Sequence, residues 1–89
     1  MDKTIWKYEL NIRDKQTVIM PKDAKIVSIQ TQGHAASIWA IVDPEAETEE
    51  VEFHMFGTGH PISDEEYKRR YIGTIQIRSS VFHCFQKID

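Results

Sequence analysis

The sequence predicts a mainly β protein: a small single-domain antiparallel sandwich or partly open barrel of about seven short strands with one short helix. Two observations support this fold class. Apolar and polar residues alternate with a period of two in several segments, as in half-buried strands. These segments are short and are separated by turn-forming residues at close intervals, which is typical of small sandwiches and barrels.

The composition indicates one globular domain that spans residues 1–89. Hydrophobic residues make up 40% of the chain and charged residues 28%, which are ordinary globular values. A chain this short buries only a modest core, so we expect it to associate into a homo-oligomer. Nucleic-acid binders need a basic face, whereas the net charge here is −3 and the only basic cluster is Lys68–Arg70. Binding to long nucleic acid is therefore disfavoured.

The cysteine content and the N-terminus indicate a cytoplasmic protein. Cys84 is the sole cysteine, which excludes an internal disulfide and suits a reducing compartment. The first ten residues lack the apolar core of a signal peptide, and no apolar run approaches membrane-spanning length. We therefore expect no membrane partner.

Four strands are predicted in the first half of the chain. Thr4–Ile12 alternates strictly and Gln16–Met20 is rich in β-branched residues, so together they are predicted to form an opening hairpin. Ala24–Thr31 is a third strand, and a turn at Gly33 follows it. Ser37–Asp43 is almost continuously apolar, which predicts a central strand covered on both faces.

The stretch Glu49–Ile62 combines the most regular strand with the densest turn. One face of the strand carries apolar residues and the other carries polar ones: Val51, Phe53 and Met55 against Glu50, Glu52 and His54. The strand then breaks at Gly57–Pro61. The acidic run Pro44–Glu50 that precedes it is interpreted as a solvated loop, since it has no glycine for a calcium loop.

A short helix and a closing hairpin complete the chain. Ser63 with Glu66 three residues later forms a capping box, which predicts a helix of one to two turns. Three ion pairs at a spacing of four are expected to support it: Asp64/Lys68, Glu65/Arg69 and Glu66/Arg70. Tyr71–Ile77 and Ser80–Gln86 are predicted to form the hairpin around Arg78.

The candidate site is the loop Gly57–Pro61. Two glycines around Thr58 allow backbone N–H groups to point the same way and to form an anion-binding nest. His60 is a further donor, and Arg69 or Arg70 is expected to reach back to a phosphate or carboxylate. The alternative is a tight connection in which the glycines adopt positive φ and Pro61 fixes the exit. The loop completes neither a P-loop nor a dinucleotide fingerprint.

Aromatic residues extend this candidate site. Tyr8, Trp39 and Tyr71 are candidate stacking surfaces for a ligand, although Trp39 also fits the role of a core anchor. The full set of predicted ligand-binding residues is Gly57, Thr58, Gly59, His60, Arg69, Arg70, Tyr71, Trp39 and Tyr8.

No metal site, cofactor or catalytic constellation is predicted, so we do not expect an enzyme. The four histidines are scattered and form no compact paired motif: His34, His54, His60 and His83. His83 and Cys84 are adjacent on a strand and point to opposite faces, so they do not form a thiolate–imidazole pair. Cys84 is interpreted as a small buried apolar residue.

The order of these motifs resembles a family of small uncharacterised proteins that bacteriophages and prophages encode. The matching motifs are Ile5–Tyr8, Met20-Pro21, Ala24–Ile26, Trp39-Ala40, Val42–Pro44, Phe53, Gly57–Ile62, Tyr71–Thr74, Val81–His83 and Phe85. The charged segment Glu65–Arg70 and Cys84 depart from the family pattern. The resemblance implies a location in the host cytoplasm and an accessory role through binding, but no established activity.

Two functions are consistent with these features. The first is a non-enzymatic small-molecule binder, in particular an oligomeric sponge for a nucleotide-like host immune signal. The second is a protein–protein inhibitor or assembly module that binds a host protein through an exposed strand edge or an acidic face. That acidic face comprises Glu45, Glu47, Glu49, Glu50 and Glu52.

Overall fold

The computed structural model describes residues 2–67 and 69–88, and for residues 66 and 67 it describes the backbone only. Seven strands and one single-turn helix follow each other along the chain. They are β1 Thr4–Leu10, β2 Lys15–Pro21, β3 Lys25–Gln32, β4 Ala35–Val42, β5 Thr48–Gly57, α1 Asp64–Tyr67, β6 Arg70–Ile77 and β7 Ser80–Gln86. The predicted fold class is confirmed.

The strands form two sheets. The three-stranded sheet has the order β1-β4-β3, and the four-stranded sheet has the order β2-β5-β7-β6. Every pair of hydrogen-bonded strands is antiparallel. The predicted hairpin of β6 with β7 is confirmed, and the turn predicted at Gly33 joins β3 to β4. The predicted central position of β4, between β1 and β3, is also confirmed. Its outer face is not fully covered as predicted, because Trp39 and Ile41 are only half-buried.

The predicted opening hairpin is wrong, because β1 pairs with β4 and β2 pairs with β5 in the other sheet. The turn between β1 and β2 is held by hydrogen bonds of one side chain instead of backbone hydrogen bonds between paired strands. The Gln16 amide nitrogen donates to the Asn11 carbonyl over 2.6 Å, and its oxygen accepts from the Asn11 N–H over 3.0 Å. The polar turn therefore carries the chain from one sheet to the other across the core.

The core lies between the inward faces of the two sheets. The predicted alternation of β5 is confirmed, since Val51, Phe53 and Met55 are buried and point inward. Cys84 of β7 is fully buried, as predicted. The other buried apolar residues of the core are Leu10, Met20, Ile29, Ala36, Ile38, Ala40, Val42 and Ile75.

The sheets approach each other most closely where β3 faces β6. The Thr31 hydroxyl donates to the Gln76 carbonyl over 2.9 Å, which joins the two edge strands. A Cβ at Gly73 would lie 2.6 Å from Cγ2 of Ile29, so this contact requires a glycine. The fold is thus closed along β3 and β6, while β1 and β2 are the edge strands on the other side.

The predicted helix is present as one turn. Arg69 lies beyond its end, and its guanidinium contacts Glu52 of β5, so the predicted Glu65/Arg69 pair is wrong. Arg69 is followed directly by β6, which begins at Arg70. The predicted pairs Asp64/Lys68 and Glu66/Arg70 involve side chains outside the described part of the chain.

Candidate functional site

The connection from β5 to β6 shapes the candidate site. Both strands are antiparallel to β7, which lies between them, so β5 and β6 run parallel and need a crossover. This crossover joins Gly57 to Arg70, and the structure describes residues 58–67 and 69 of it. It returns along the outer face of the four-stranded sheet, where Arg69 contacts Glu52 and His54. His54 points outward and is nevertheless buried, because the crossover covers it.

The crossover begins with a tight turn at Gly57–His60. The His60 N–H donates to the Gly57 carbonyl over 3.1 Å, and Gly59 has a φ of 88°, which only glycine adopts without strain. The Thr58 N–H donates to the Val81 carbonyl over 3.3 Å. Because these two amides are already bonded within the protein, the turn is not the anion-binding nest that the glycine pattern indicates.

The His60 ring folds back over Gly57. A Cβ at Gly57 would lie 2.9 Å from Cε1 of His60, so the ring occupies the space that a larger residue would need. The absence of a side chain at Gly57 therefore places the imidazole at the rim of the site. This is a different use of glycine from that at Gly59, where the backbone angle matters and a Cβ would meet nothing within 4 Å.

Four polar side chains form a hydrogen-bonded chain beside this turn. Nε2 of His83 is 2.8 Å from the Thr58 hydroxyl, and Nδ1 is 2.9 Å from the Thr74 hydroxyl. The Thr74 hydroxyl is in turn hydrogen-bonded to Tyr71. Both ring nitrogens of His83 are thus bonded to hydroxyl groups, which fixes its orientation and ties the crossover to β6 and β7.

Aromatic rings form the apolar part of the site. Phe56 and Phe85 pack edge to face with centroids 5.8 Å apart, and Tyr71 is tilted against Phe85 at 5.3 Å. Such pairs add about 0.5–1.5 kcal/mol beyond the burial of their area. Tyr71 remains 54% exposed, so one side of this cluster faces solvent.

The turn, the polar chain and the rings enclose one groove of about 530 Å³ that is open to solvent. We call it the aromatic groove. Its lining residues are Phe56, Gly57, Thr58, Gly59, His60, Ile62, Tyr71, Thr74, His83 and Phe85. A second hollow lies on the other side of His60, lined by Asp14, Lys15, His54, Met55, Phe56, His60 and Pro61. His60 and Phe56 separate the two.

A charged cluster anchors the end of the crossover. Oε2 of Glu52 contacts Nε2 of His54 and accepts from Nη1 of Arg69 over 3.4 Å, and Lys15 lies 3.9 Å from Oε1. Nη1 of Arg69 is also 2.6 Å from Nε2 of His54. The imidazole nitrogen donates to Glu52 when it carries a proton and accepts from Arg69 when it does not. In both states Arg69 still donates to Glu52.

This cluster lowers the pKa of Glu52. The hydrogen bond with His54 is the largest cause, and the charge of Lys15 acts in the same direction, while desolvation opposes both. The carboxylate is therefore held ionised, as its position between a guanidinium and an ammonium group requires. The carboxylate serves as an anchor for residues 58–69 and does not line the aromatic groove.

The structure brings together five of the nine predicted ligand-binding residues. Gly57, Thr58, Gly59, His60 and Tyr71 all line the aromatic groove. The groove also contains residues that were not predicted as site residues. They are Phe56, Ile62, Thr74, His83 and Phe85. The sequence contained a pattern that could have identified His83 and Phe85 as site residues. They alternate on the last strand, so both point outward on the face that also carries Tyr71.

The other four predicted residues lie elsewhere. Arg69 is bound to Glu52 and His54, and Arg70 is exposed at the start of β6, so neither arginine lines the aromatic groove. Tyr8 and Trp39 belong to the three-stranded sheet. Tyr8 points toward the core, and Trp39 lies half-buried on the outer face. The predicted joint site of these nine residues is therefore not formed within one chain.

Other chemistry is restricted by the positions of the remaining reactive groups. Burial raises the pKa of the Cys84 thiol to about 12, so this residue carries no thiolate at neutral pH. Within residues 2–67 and 69–88, no three His, Cys, Asp or Glu side chains are grouped to hold a metal ion. The same residues contain no helix of the length and hydropathy that a membrane span requires.

The chain was compared with known families, proteins and structures. A family model described as a domain of unknown function, DUF7352, matches residues 1–89. No curated protein matches the chain, and no solved structure does.

Proposed function

We propose that this chain, which belongs to the DUF7352 family of unknown function, is a non-enzymatic binding protein for a small molecule with a flat aromatic ring. The observation that carries the proposal is the aromatic groove, in which exposed ring surface and hydrogen-bonding groups face the same hollow. Its volume of about 530 Å³ lies within the range of roughly 300–1,000 Å³ that small-molecule sites occupy.

The apolar wall of the groove favours a planar ligand. Tyr71 and Phe85 present ring surface, and Ile62 is 38% exposed at the opposite rim. A heteroaromatic ring that stacks on such a wall gains about 1–3 kcal/mol. The polar chain from Thr58 to Tyr71 supplies hydroxyl groups that donate or accept at the edge of the ring. A nucleobase has both properties.

The charge of the groove determines how a nucleotide would be oriented. Among the residues whose side chains the structure describes, the groove lining contains no lysine, arginine or carboxylate. A nucleotide would therefore place its base in the groove and direct its phosphates toward solvent past His60. The same composition favours a binding protein over an enzyme. His83 is bonded to the hydroxyl groups of Thr58 and Thr74, and among the described lining residues no carboxylate is present to orient its imidazole as a base.

The biological setting extends the proposal. The resemblance to proteins encoded by bacteriophages and prophages supports a counter-defence role, in which an oligomer sequesters a nucleotide-like host immune signal in the host cytoplasm. A sponge of this kind needs affinity and abundance, without turnover. The proposed groove meets the first requirement through stacking and needs no catalytic group.

A ligand screen tests the proposal. Thermal unfolding is measured with adenosine, AMP, cyclic di- and trinucleotides, ADP-ribose and NAD, and a ligand at a hundredfold its Kd should add about 2.7 kcal/mol of stability. We expect Tyr71→Ala to abolish the shift, because it removes the exposed ring. Trp39→Ala is the matched control, since it removes an aromatic residue outside the groove. Flat melting curves for every compound, or equal loss in both variants, would contradict the proposal.

The second predicted function is a protein–protein inhibitor or assembly module. The contacts of its acidic face give less support to binding through that face, and binding through a strand edge stays a prediction. Oε2 of Glu49 accepts from the Asp23 N–H over 3.1 Å, and Glu52 is bound within the charged cluster. Two of the five glutamates are thus engaged within the chain. A pull-down with the five glutamates changed to lysine tests what remains. Capture that charge reversal leaves unchanged would exclude the acidic face.

A further inference from the structure

The two sheets have four edge strands, and three of them carry features that hinder pairing with another chain. The register of β3 shifts between Ile26 and Ser28, and that of β6 shifts between Tyr71 and Gly73. These two edges also face each other across the closed side of the fold. The β2 strand ends in Pro21, which has no N–H to donate. Irregular register and proline are common devices that protect sheet edges.

The remaining edge strand, β1, has none of these features. Its seven residues pair with β4 in continuous register and contain no proline. One side of β1 therefore presents a regular row of backbone N–H and C=O groups that no strand of the same chain satisfies. The strand is also apolar for an exposed edge, with Ile5 57% and Trp6 41% exposed.

We propose that β1 pairs antiparallel with β1 of a second copy of this chain, in the register that places Lys7 opposite the partner's Glu9. Residues directly opposite each other in an antiparallel pair share a face of the sheet. A register centred on Tyr8 satisfies this condition and forms two Lys7–Glu9 pairs, one on each side of the twofold axis. The product is one continuous six-stranded sheet in the order β3-β4-β1-β1-β4-β3.

Charge selects this register over its neighbour. A register centred on Lys7 would place two lysines directly opposite each other, which destabilises a strand pair. The register centred on Tyr8 brings together opposite charges on the outer face. The Lys7 ammonium donates to Oε1 of Gln32 on β3 over 2.8 Å within one chain, so it would exchange this neutral acceptor for the partner's Glu9 carboxylate. On the inner face this register places Trp6, which is 41% exposed, opposite the partner's Leu10, which is buried in the core of its own chain. The partner's Tyr8 then lies beside Tyr8, whose hydroxyl is buried without a hydrogen-bond partner.

The small area that one strand pair buries limits the affinity of the dimer. Pairing of one short strand buries less than the roughly 1,200 Å² of stable complexes, so we expect a weak dimer with a Kd on the order of tens of micromolar. Such a dimer would exchange rapidly. The contact is independent of the aromatic groove, which lies on the other sheet, so the two proposals fail separately.

Sedimentation velocity from low to high micromolar concentration tests the proposal. We expect wild type to shift from monomer to dimer. Lys7→Glu should weaken the dimer about tenfold, because two favourable pairs become two repulsive ones. The double variant Lys7→Glu/Glu9→Lys restores opposite charges in the same register and should recover the wild-type Kd within about threefold. Lys25→Glu, on the opposite edge of the sheet, is the charge-matched control.

Three outcomes would overturn the proposal. Wild type that remains monomeric throughout would show that β1 is free or that another chain covers it. Equal weakening by Lys7→Glu and Lys25→Glu would indicate a general charge effect. Failure of the double variant to recover would exclude the register. Far-UV circular dichroism and melting curves verify that each variant is folded, and Tyr71→Ala should dimerise like wild type.

Discussion

The outer faces of the two sheets differ in how much of each face the chain covers. On the three-stranded sheet, a hairpin joins β3 to β4, and the other connections lead to the opposite sheet. The large outward side chain of this sheet, Trp39, is only half-buried, although the small Ser37 beside it is covered. On the four-stranded sheet, the described part of the crossover, residues 58–67 and 69, lies over the outer face. There His54 is 8% exposed, and the aromatic groove opens beside it.

The difference originates in the strand connections. Strand alternation alone provides each sheet with an outward row of side chains. A hairpin returns the chain beside the strand it has just left, so it covers nothing. The parallel relationship of β5 and β6 forces the chain across β7, and the space between crossover and sheet becomes a hollow. The candidate site is thus a consequence of topology, and its side chains determine what it binds.

Removal of the Glu52 carboxylate, which anchors the crossover, should have the largest effect on stability. Glu52→Ala leaves Arg69 and His54 without their shared acceptor, so we expect a loss of about 2 kcal/mol in the free energy of unfolding. Hydrogen exchange in residues 58–67 should accelerate more than in β3 and β4. Urea denaturation measures the first effect, and exchange detected by NMR measures the second.

The matched control for this variant is Glu50→Ala, two residues earlier on the same face. Glu50 is exposed and lies opposite Ile19, away from the charged cluster. We expect this change to alter stability by less than about 0.5 kcal/mol, as is usual for surface substitutions. Equal destabilisation by the two variants would show that the carboxylate of Glu52 does not anchor the crossover.

Much of this fold was accessible from the sequence because it depends on local pattern. The alternation of Val51, Phe53 and Met55 defines the inner face of β5 whatever its neighbours are. Gly59 and its neighbours likewise identify the turn, since a positive φ is a local requirement. For the same reason, five of the nine predicted site residues, which lie within or directly beside the crossover, were found together.

The remaining predictions failed where partners are distant in sequence. A polar turn after Leu10 indicates only that a strand ends, and it does not reveal whether the next strand joins the same sheet. Arg69 was assigned to a local helical pair, yet its acceptor is Glu52, seventeen residues earlier. Tyr8 and Trp39 have suitable chemistry for stacking, but strand order places them on the other sheet. Strand order is decided by packing across the core, which single-segment patterns do not encode.

Lowering the pH should gradually protonate the Glu52 carboxylate and so remove the same anchor. The folded-state pKa of Glu52 is below the ordinary 4.5, so the unfolded state binds more protons as the pH falls. The stability contributed by this carboxylate is fully present above that ordinary value and is lost as the pH decreases through the folded-state pKa. We expect Glu52→Gln to reduce the acid dependence of unfolding between pH 6 and pH 3, measured by urea denaturation, with Glu50→Gln as control. Identical slopes for the two variants would contradict this assignment.

A small effect on stability is expected at Gly57, in the turn that begins the crossover, and this substitution separates groove shape from stability. A methyl group at Gly57 would lie 2.9 Å from the His60 ring, which is exposed and free to rotate away. Gly57→Ala should therefore cost less than about 1 kcal/mol, since the clash is relieved by a side-chain rotation. It should nevertheless alter the NMR shifts of His60 and weaken any ligand of the aromatic groove. Gly33→Ala, in the hairpin of the three-stranded sheet, provides the contrast.

Gly33 has a φ of 65° and no atom within 4 Å of an added Cβ, so the cost of alanine there is backbone strain of about 1–2 kcal/mol. That variant should be less stable but should leave His60 and ligand binding unchanged. The two alanine variants thus make opposite predictions: a changed groove with nearly intact stability, and reduced stability with an intact groove. If Gly57→Ala left the His60 resonances unmoved, the ring would not pack on Gly57, and the wall between the two hollows would have to be formed by Phe56 alone.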